Sequence, residues 1–218
     1  SPRSSYTRAL IQLYTISVEG GYPEKLVIPN AYHATYSPNG QMMAYTPYYD
    51  AFRQWKHYRG GRMSDILLFS FADHSVNEIP KPEEGCNDIN PMWTGDMVYF
   101  LSDRNGEFNL FSYQVNSGNV EQLTQYEDFP ILNANLNENS IIFEQAGYLH
   151  RFNLSDGSIN KVTVGIATDL QELRPRFVKG NRYIRSANIS PSGARAVFGF
   201  RGEIITAPAE KGDPRNIT

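Results

Sequence analysis

The sequence predicts an all-β protein of repeated four-stranded units, and three observations carry that expectation. A strand–turn–strand pattern recurs four times in 218 residues, 14 Tyr and 12 Phe raise the aromatic content to 13%, and no long amphipathic helical pattern occurs. Flat rings suit pleated, half-buried surfaces, and self-similarity at a regular spacing marks a repeat architecture.

The repeats can be followed in order. Tyr36-Ser37-Pro38-Asn39-Gly40 precedes the apolar run Met42-Met43-Ala44-Tyr45, and Met92-Trp93-Thr94-Gly95-Asp96 precedes Met97-Val98-Tyr99-Phe100. Leu136-Asn137-Glu138-Asn139 precedes Ile141-Ile142-Phe143, and Ile189-Ser190-Pro191-Ser192-Gly193 precedes Ala196-Val197-Phe198. Each is followed by a further strand, at 66–71, 108–115, 148–154 and 203–207. Polar turns then lead into a last strand: Val18-Glu19-Gly20-Gly21, Asn116-Ser117-Gly118-Asn119, Ser155-Asp156-Gly157-Ser158 and Glu210-Lys211-Gly212-Asp213. Gly and Pro fall in the turns, where fixed or positive φ is required.

Equivalent aromatics at Tyr45, Phe100, Phe143 and Phe198 stand 55, 43 and 55 residues apart. The short step fits a four-stranded propeller blade of about 40–45 residues. The long steps hold insertions at 48–64 and 166–185. The expected architecture is therefore a β-propeller. Residues 10–29 supply only the later strands of a repeat, and the chain reaches Thr218 after three strands of another. Propellers hide their strand edges by closing a ring, so the pattern predicts a piece of a longer chain.

Composition narrows the function classes. A net charge of −3 with no long basic run argues against nucleic acid. No stretch approaches 18 consecutive apolar residues, so no membrane-spanning helix is expected. No signal peptide is visible at Ser1. Cys86, the single cysteine, excludes an internal disulfide and a cysteine-rich metal site.

The candidate residues for chemistry are few. Ser37, Ser190 and Ser192 lie in repeat turns, where serine bonds the local backbone, and no Gly-x-Ser-x-Gly elbow occurs, so no catalytic serine is expected. His33, His57, His74 and His150 are scattered over different repeats, without metal-ligand spacing. Asp103, Asp156 and Asp213 fall at hairpin turns and are read as caps of their own backbone. Gly20-Gly21 and Gly60-Gly61 are isolated pairs rather than a phosphate loop, so no cofactor is expected.

What remains is the first insertion, where Arg53, Lys56, Arg59 and Arg62 form what reads as the one local concentration of positive charge. Two readings stand side by side. In one, the guanidinium groups meet peptide carboxylates. In the other, Trp55 and Tyr58 anchor a connecting loop while the arginines pair with acidic neighbours. Trp55 is then expected to matter more for stability than Arg53.

Trp55-Lys56-His57-Tyr58-Arg59-Gly60-Gly61, followed by an apolar strand, resembles the N-terminal propeller of tricorn and tricorn-like serine peptidases. Ser102-Asp103-Arg104-Asn105-Gly106 and Gly147-Tyr148-Leu149-His150 carry the same resemblance, the first being shared by many TolB-type propellers. Residues 193–213 are similar to the first blade of that family's second propeller. The resemblance implies a TolB- or WD-like six-bladed propeller in part (residues 1–170), a linker holding Arg174-Pro175-Arg176-Phe177 (171–185), and one blade of a second propeller (186–218).

It further implies a parent that degrades oligopeptides, with its catalytic serine, histidine and glutamate beyond Thr218. This chain would serve as channel, filter or scaffold, with Arg53, Trp55, Lys56, Tyr58 and Arg59 as peptide or pore contacts. Oligopeptides, downstream domains and a homo-oligomer of the parent are the implied partners. Bacterial members are implied to be exported and archaeal ones cytoplasmic. Two alternatives stay open: a TolB-like scaffold that binds a protein partner, and the propeller of a prolyl-oligopeptidase-like enzyme.

Overall fold

The computed structural model describes residues 11–48, 56–170, 173–176 and 179–218. The chain divides into two compact units, 1–164 and 165–218. In the first unit a two-stranded sheet, β1 (Tyr14–Thr15) and β2 (Glu24–Lys25), precedes three four-stranded antiparallel meanders. These are β3 (Ala34–Tyr36), β4 (Met42–Tyr45), β5 (Leu67–Ser70) and β6 (Val76–Glu78); then β7 (Asp88–Thr94), β8 (Met97–Ser102), β9 (Asn109–Gln114) and β10 (Asn119–Gln122); then β11 (Ile131–Asn137), β12 (Ser140–Gln145), β13 (Tyr148–Asn153) and β14 (Ile159–Lys161). The second unit is one more such meander: β15 (Ile184–Ile189), β16 (Arg195–Phe200), β17 (Glu203–Pro208) and β18 (Arg215–Asn216). The last repeat thus has four strands rather than the expected three, because β15 precedes the Ser190 turn.

Three apolar layers hold the first unit together, each between successive sheets. Ile28 and Ala31 meet Met43, Tyr45 and Phe69. Ala44, Ile66, Leu68 and Ile79 meet Trp93, Val98, Phe100, Phe111 and Tyr113. Met92, Leu101 and Leu110 meet Ile131, Ala134, Ile141, Phe143 and Phe152. The third sheet is buried on both faces, so β8 reads Met97-Val98-Tyr99-Phe100-Leu101 without polar alternation. First strands pack together across sheets, β3 on β7 and β7 on β11, whereas the outer strands diverge. The sheets of this unit fan from their first strands, as propeller blades do.

Repeat-specific turn chemistry reappears where the sequence repeats. The Ser37 hydroxyl accepts from the Met42 N–H (2.9 Å), and the Gly40 N–H donates to the Ser37 carbonyl. The Ser190 hydroxyl likewise accepts from the Arg195 N–H (3.1 Å), with the Gly193 N–H on the Ser190 carbonyl. Both serines serve their turns, as their positions predict. One turn was illegible: β5 reaches β6 with no glycine, because His74 takes the left-handed conformation itself (φ 61°) and Asp73 Oδ1 accepts from the Ser75 N–H.

Candidate functional site

The insertion between β4 and β5 returns over the third sheet's β8–β9 hairpin. Arg53 and Trp55 lie outside the described residues, so the expected Trp55 anchor does too; Lys56, Tyr58 and Arg59 are placed. Lys56 Nζ stands 2.5 Å from Glu107 Oε1, and His57 Nε2 stands 3.4 Å from the same oxygen. Arg59 donates through Nη1 to Asp103 Oδ2 (2.7 Å) and through Nη2 to the Asp103 carbonyl (3.0 Å). The Tyr58 ring folds back over Gly60, where an added Cβ would lie 2.5 Å from the phenol oxygen. A larger residue at position 60 would therefore displace the Tyr58 ring.

Asp103 is the hub. Its carboxylate accepts from the Asn87 N–H at 2.7 Å and from Asn87 Nδ2 at 2.9 Å, besides Arg59. Asn87 Nδ2 also donates to the Tyr58 carbonyl, and Asn87 Oδ1 accepts from the Ser64 N–H. The sequence reading of Asp103 as a cap of its own hairpin is therefore corrected. Its carbonyl closes the turn with Gly106, but its carboxylate joins the insertion to the segment entering β7. Asp156 does act as such a cap, accepting from the Ser158 N–H at 2.9 Å.

A second ion-pair layer lies beside the first. Arg104 Nη2 donates to Asp88 Oδ2 (2.9 Å), Arg104 Nε to Ser102 Oγ, and its guanidinium lies 5.2 Å from the Phe100 and Phe111 ring centroids. Lys81 Nζ pairs with Asp65 and donates to the Ser64 and Cys86 carbonyls. Burial pushes the Asp88 carboxyl above the ordinary range while the Arg104 charge pulls it down. Burial, and then the charge of Asp88, push the Cys86 thiol up to about 12. Such a thiol is protonated and inert at neutral pH.

The electrostatic outcome is layered. Asp103 and Glu107 keep 0% and 11% of their side-chain surface in solvent, whereas Lys56, His57 and Arg59 keep 55%, 42% and 32%. The acids fix the loop from beneath, and its nitrogen-bearing ends are what solvent meets. Glu107 Oε2 is buried without a hydrogen-bond partner. Among the described residues no three of His, Cys, Asp and Glu converge as metal ligands. Two of the histidines stack on rings, His74 on Phe69 and His150 on Phe143.

The family model of the tricorn protease N-terminal beta propeller domain matches residues 1–158. The chain belongs to the tricorn N-terminal propeller family. A tricorn protease homolog of Saccharolobus solfataricus is 25% identical over 179 residues, covering 82% of this chain and 16% of that protein. Tricorn protease homolog 1 of Streptomyces coelicolor is 23% identical over 164 residues, covering 75% of this chain and 15% of the relative. The chain thus spans about a sixth of the length of these tricorn relatives. Among solved structures, the tricorn protease superposes with a TM-score of 0.64 at 18% identity over 94% of this chain and 19% of its own. A putative TolB of Agrobacterium tumefaciens gives 0.51 at 15% identity over 95% and 73%. At such identities the structural likeness is one of fold alone.

Proposed function

We propose that this chain is the non-catalytic propeller region of a tricorn-like serine peptidase, and that it admits, filters or positions oligopeptides for hydrolysis elsewhere in the parent. The observation that carries the reading is the layered insertion: Lys56, His57 and Arg59 reach solvent above carboxylates that are themselves buried. A half-exposed ledge of basic side chains suits a peptide's C-terminal carboxylate, because the guanidinium and ammonium donors are already held by carboxylates beneath them. In this reading 1–170 is part of the first propeller, 171–185 a linker and 186–218 a blade of the second. Peptides, the downstream domains and further copies of the parent are its partners. A TolB-like scaffold remains the second reading, supported by likeness of fold.

The test compares kcat/KM of the full-length peptidase for one peptide with a free and with an amidated C-terminus. Lys56→Gln should lower the preference for the free carboxylate about two- to fivefold, the worth of one exposed charge pair. An unchanged preference would remove the insertion from peptide handling.

A further inference from the structure

Charge is distributed very unevenly along the chain. Of 20 Lys and Arg, seven fall between residues 173 and 202, and none of the 23 Asp and Glu does. These are Arg174, Arg176, Lys179, Arg182, Arg185, Arg195 and Arg201, and they run through the second unit's connecting segment and its first two strands. The remaining residues hold 13 basic and 23 acidic side chains, so a positive stretch of sequence sits in an otherwise acidic chain.

Three of these arginines gather at one end of the second unit's sheet. Arg182 ends the short 3-10 turn Asn181–Tyr183 that leads into β15. Arg185 occupies the β-bulge between Ile184 and Ser186, where the register with β16 shifts. Arg201 sits in the β16–β17 turn with φ 52°, so a bulky side chain stands where a small or polar residue is usual. Tyr183 gathers two of them, Arg182 and Arg201. Its ring centroid lies 4.7 Å from the Arg182 guanidinium and 5.3 Å from that of Arg201, and Arg182 Nη2 donates to its hydroxyl. Phe200 fixes Tyr183 edge-on at 6.2 Å, and Gly180 packs so closely on Phe200 that an added Cβ would lie 2.7 Å from that ring.

None of Lys179, Arg182, Arg185 and Arg201 forms an ion pair with a described residue, and all four are exposed. Glu203, the acid nearest to Arg201 in sequence, accepts a hydrogen bond from Asn216 Nδ2 (2.7 Å). This contrasts with the β4–β5 insertion, where Lys56 and Arg59 each have a carboxylate.

We propose that the Arg182–Arg185–Arg201 end of this sheet is a docking surface for acidic peptides, gripping successive carboxylates with guanidinium groups of which those of Arg182 and Arg201 are held on Tyr183. The proposal goes beyond the insertion's role and borrows from the peptide reading only the kind of ligand. A single-stranded nucleic acid fits less well, for one physical reason. The aromatic ring is already occupied by guanidinium groups, so no free platform is left for base stacking.

The experiment uses the full-length protein with fluorescein-labelled hexaglutamate, hexaglutamine and a six-nucleotide single-stranded DNA, followed by anisotropy at low ionic strength. Hexaglutamate should bind, hexaglutamine should not, and binding should fade with salt, as it does for exposed charges. Arg182→Gln/Arg201→Asn should weaken hexaglutamate at least about fivefold, the worth of two exposed pairs, whereas Lys25→Gln, at an exposed lysine of β2, should leave it unchanged. Circular dichroism on the double variant separates lost binding from lost folding; an unfolded double variant is replaced by Arg182→Gln alone, with the same expectation at about half the free energy.

Equal binding by the folded variant, or no hexaglutamate binding at all, overturns the proposal. DNA binding as tight as that of hexaglutamate replaces it with a nucleic-acid surface. A loss with Lys56→Gln and none with the double arginine variant overturns it while leaving the peptide reading of the insertion intact.

Discussion

Asp103 shows how one side chain joins two parts of the first unit. Its buried carboxylate takes the Asn87 N–H, the Asn87 amide and the Arg59 guanidinium, so Asp103→Ala strands several donors at once. Leaving buried donors unmade costs about 1–3 kcal/mol each. Arg59→Gln loses a pair whose basic partner is part-exposed, about 1 kcal/mol. Urea unfolding followed by tryptophan fluorescence should therefore rank Asp103→Ala well below Arg59→Gln; equal midpoints would contradict the hub. The sequence marked Asp103 only as a turn residue, because nothing in a hairpin motif says that its carboxylate faces a segment 16 residues earlier. Arg59 and Lys56 were legible as a cluster, and their acidic partners, 44 and 51 residues downstream, were not.

Two further residue-scale expectations follow from burial. Cys86, with its thiol pushed up to about 12, should resist iodoacetamide at pH 8 in the native protein and react promptly in denaturant. Rapid native labelling would contradict that environment. Asp88 has its folded-state pKa raised, so the native state holds its proton more tightly than the unfolded chain does. Its contribution is then most favourable at acid pH and declines as pH rises from about 4 through the folded value. Asp88→Asn should flatten that part of the melting-temperature profile; an identical profile would show that Arg104 compensates fully.

At the scale of elements, hairpins are where sequence and fold agree most closely. Gln145 pairs with Tyr148 across Ala146-Gly147, with φ of 51° and 77°, the two-residue turn whose twist matches antiparallel strands. Alanine is poorly suited to the first of these positions. Ala146→Asn should raise the melting temperature by the equivalent of about 0.5–1 kcal/mol, as calorimetry would register; a lower value would mean that the left-handed conformation costs less there than expected. The β5–β6 turn escaped detection because histidine, not glycine, adopts that conformation. β8 was legible as a strand from its apolar run, and the absence of alternation in it reflects burial between two sheets. Phe100→Ala should accordingly cost about 3–5 kcal/mol.

For the whole molecule, the repeat spacing carried the architecture because each sheet needs a neighbour for its apolar face, and that need recurs with every unit. The uneven charge was equally present in the sequence and easily overlooked. The basic residues of 173–202 are spread over a connecting segment, two strands and a turn, and only the folded sheet brings Arg182 and Arg201 to one tyrosine. The basic side chains of the first unit's insertion pair with carboxylates beneath them, whereas Arg182, Arg185 and Arg201 of the second unit have no described carboxylate partner.

On the proposed function, the insertion ledge meets peptides on their way to hydrolysis. The most direct measurement is photo-crosslinking of a substrate peptide bearing a benzophenone near its free C-terminus to the full-length protein, with sites mapped by mass spectrometry. Crosslinks within residues 56–62, lost when the peptide is amidated, are the expected result. Crosslinks confined to regions outside this chain, with or without the carboxylate, would contradict it.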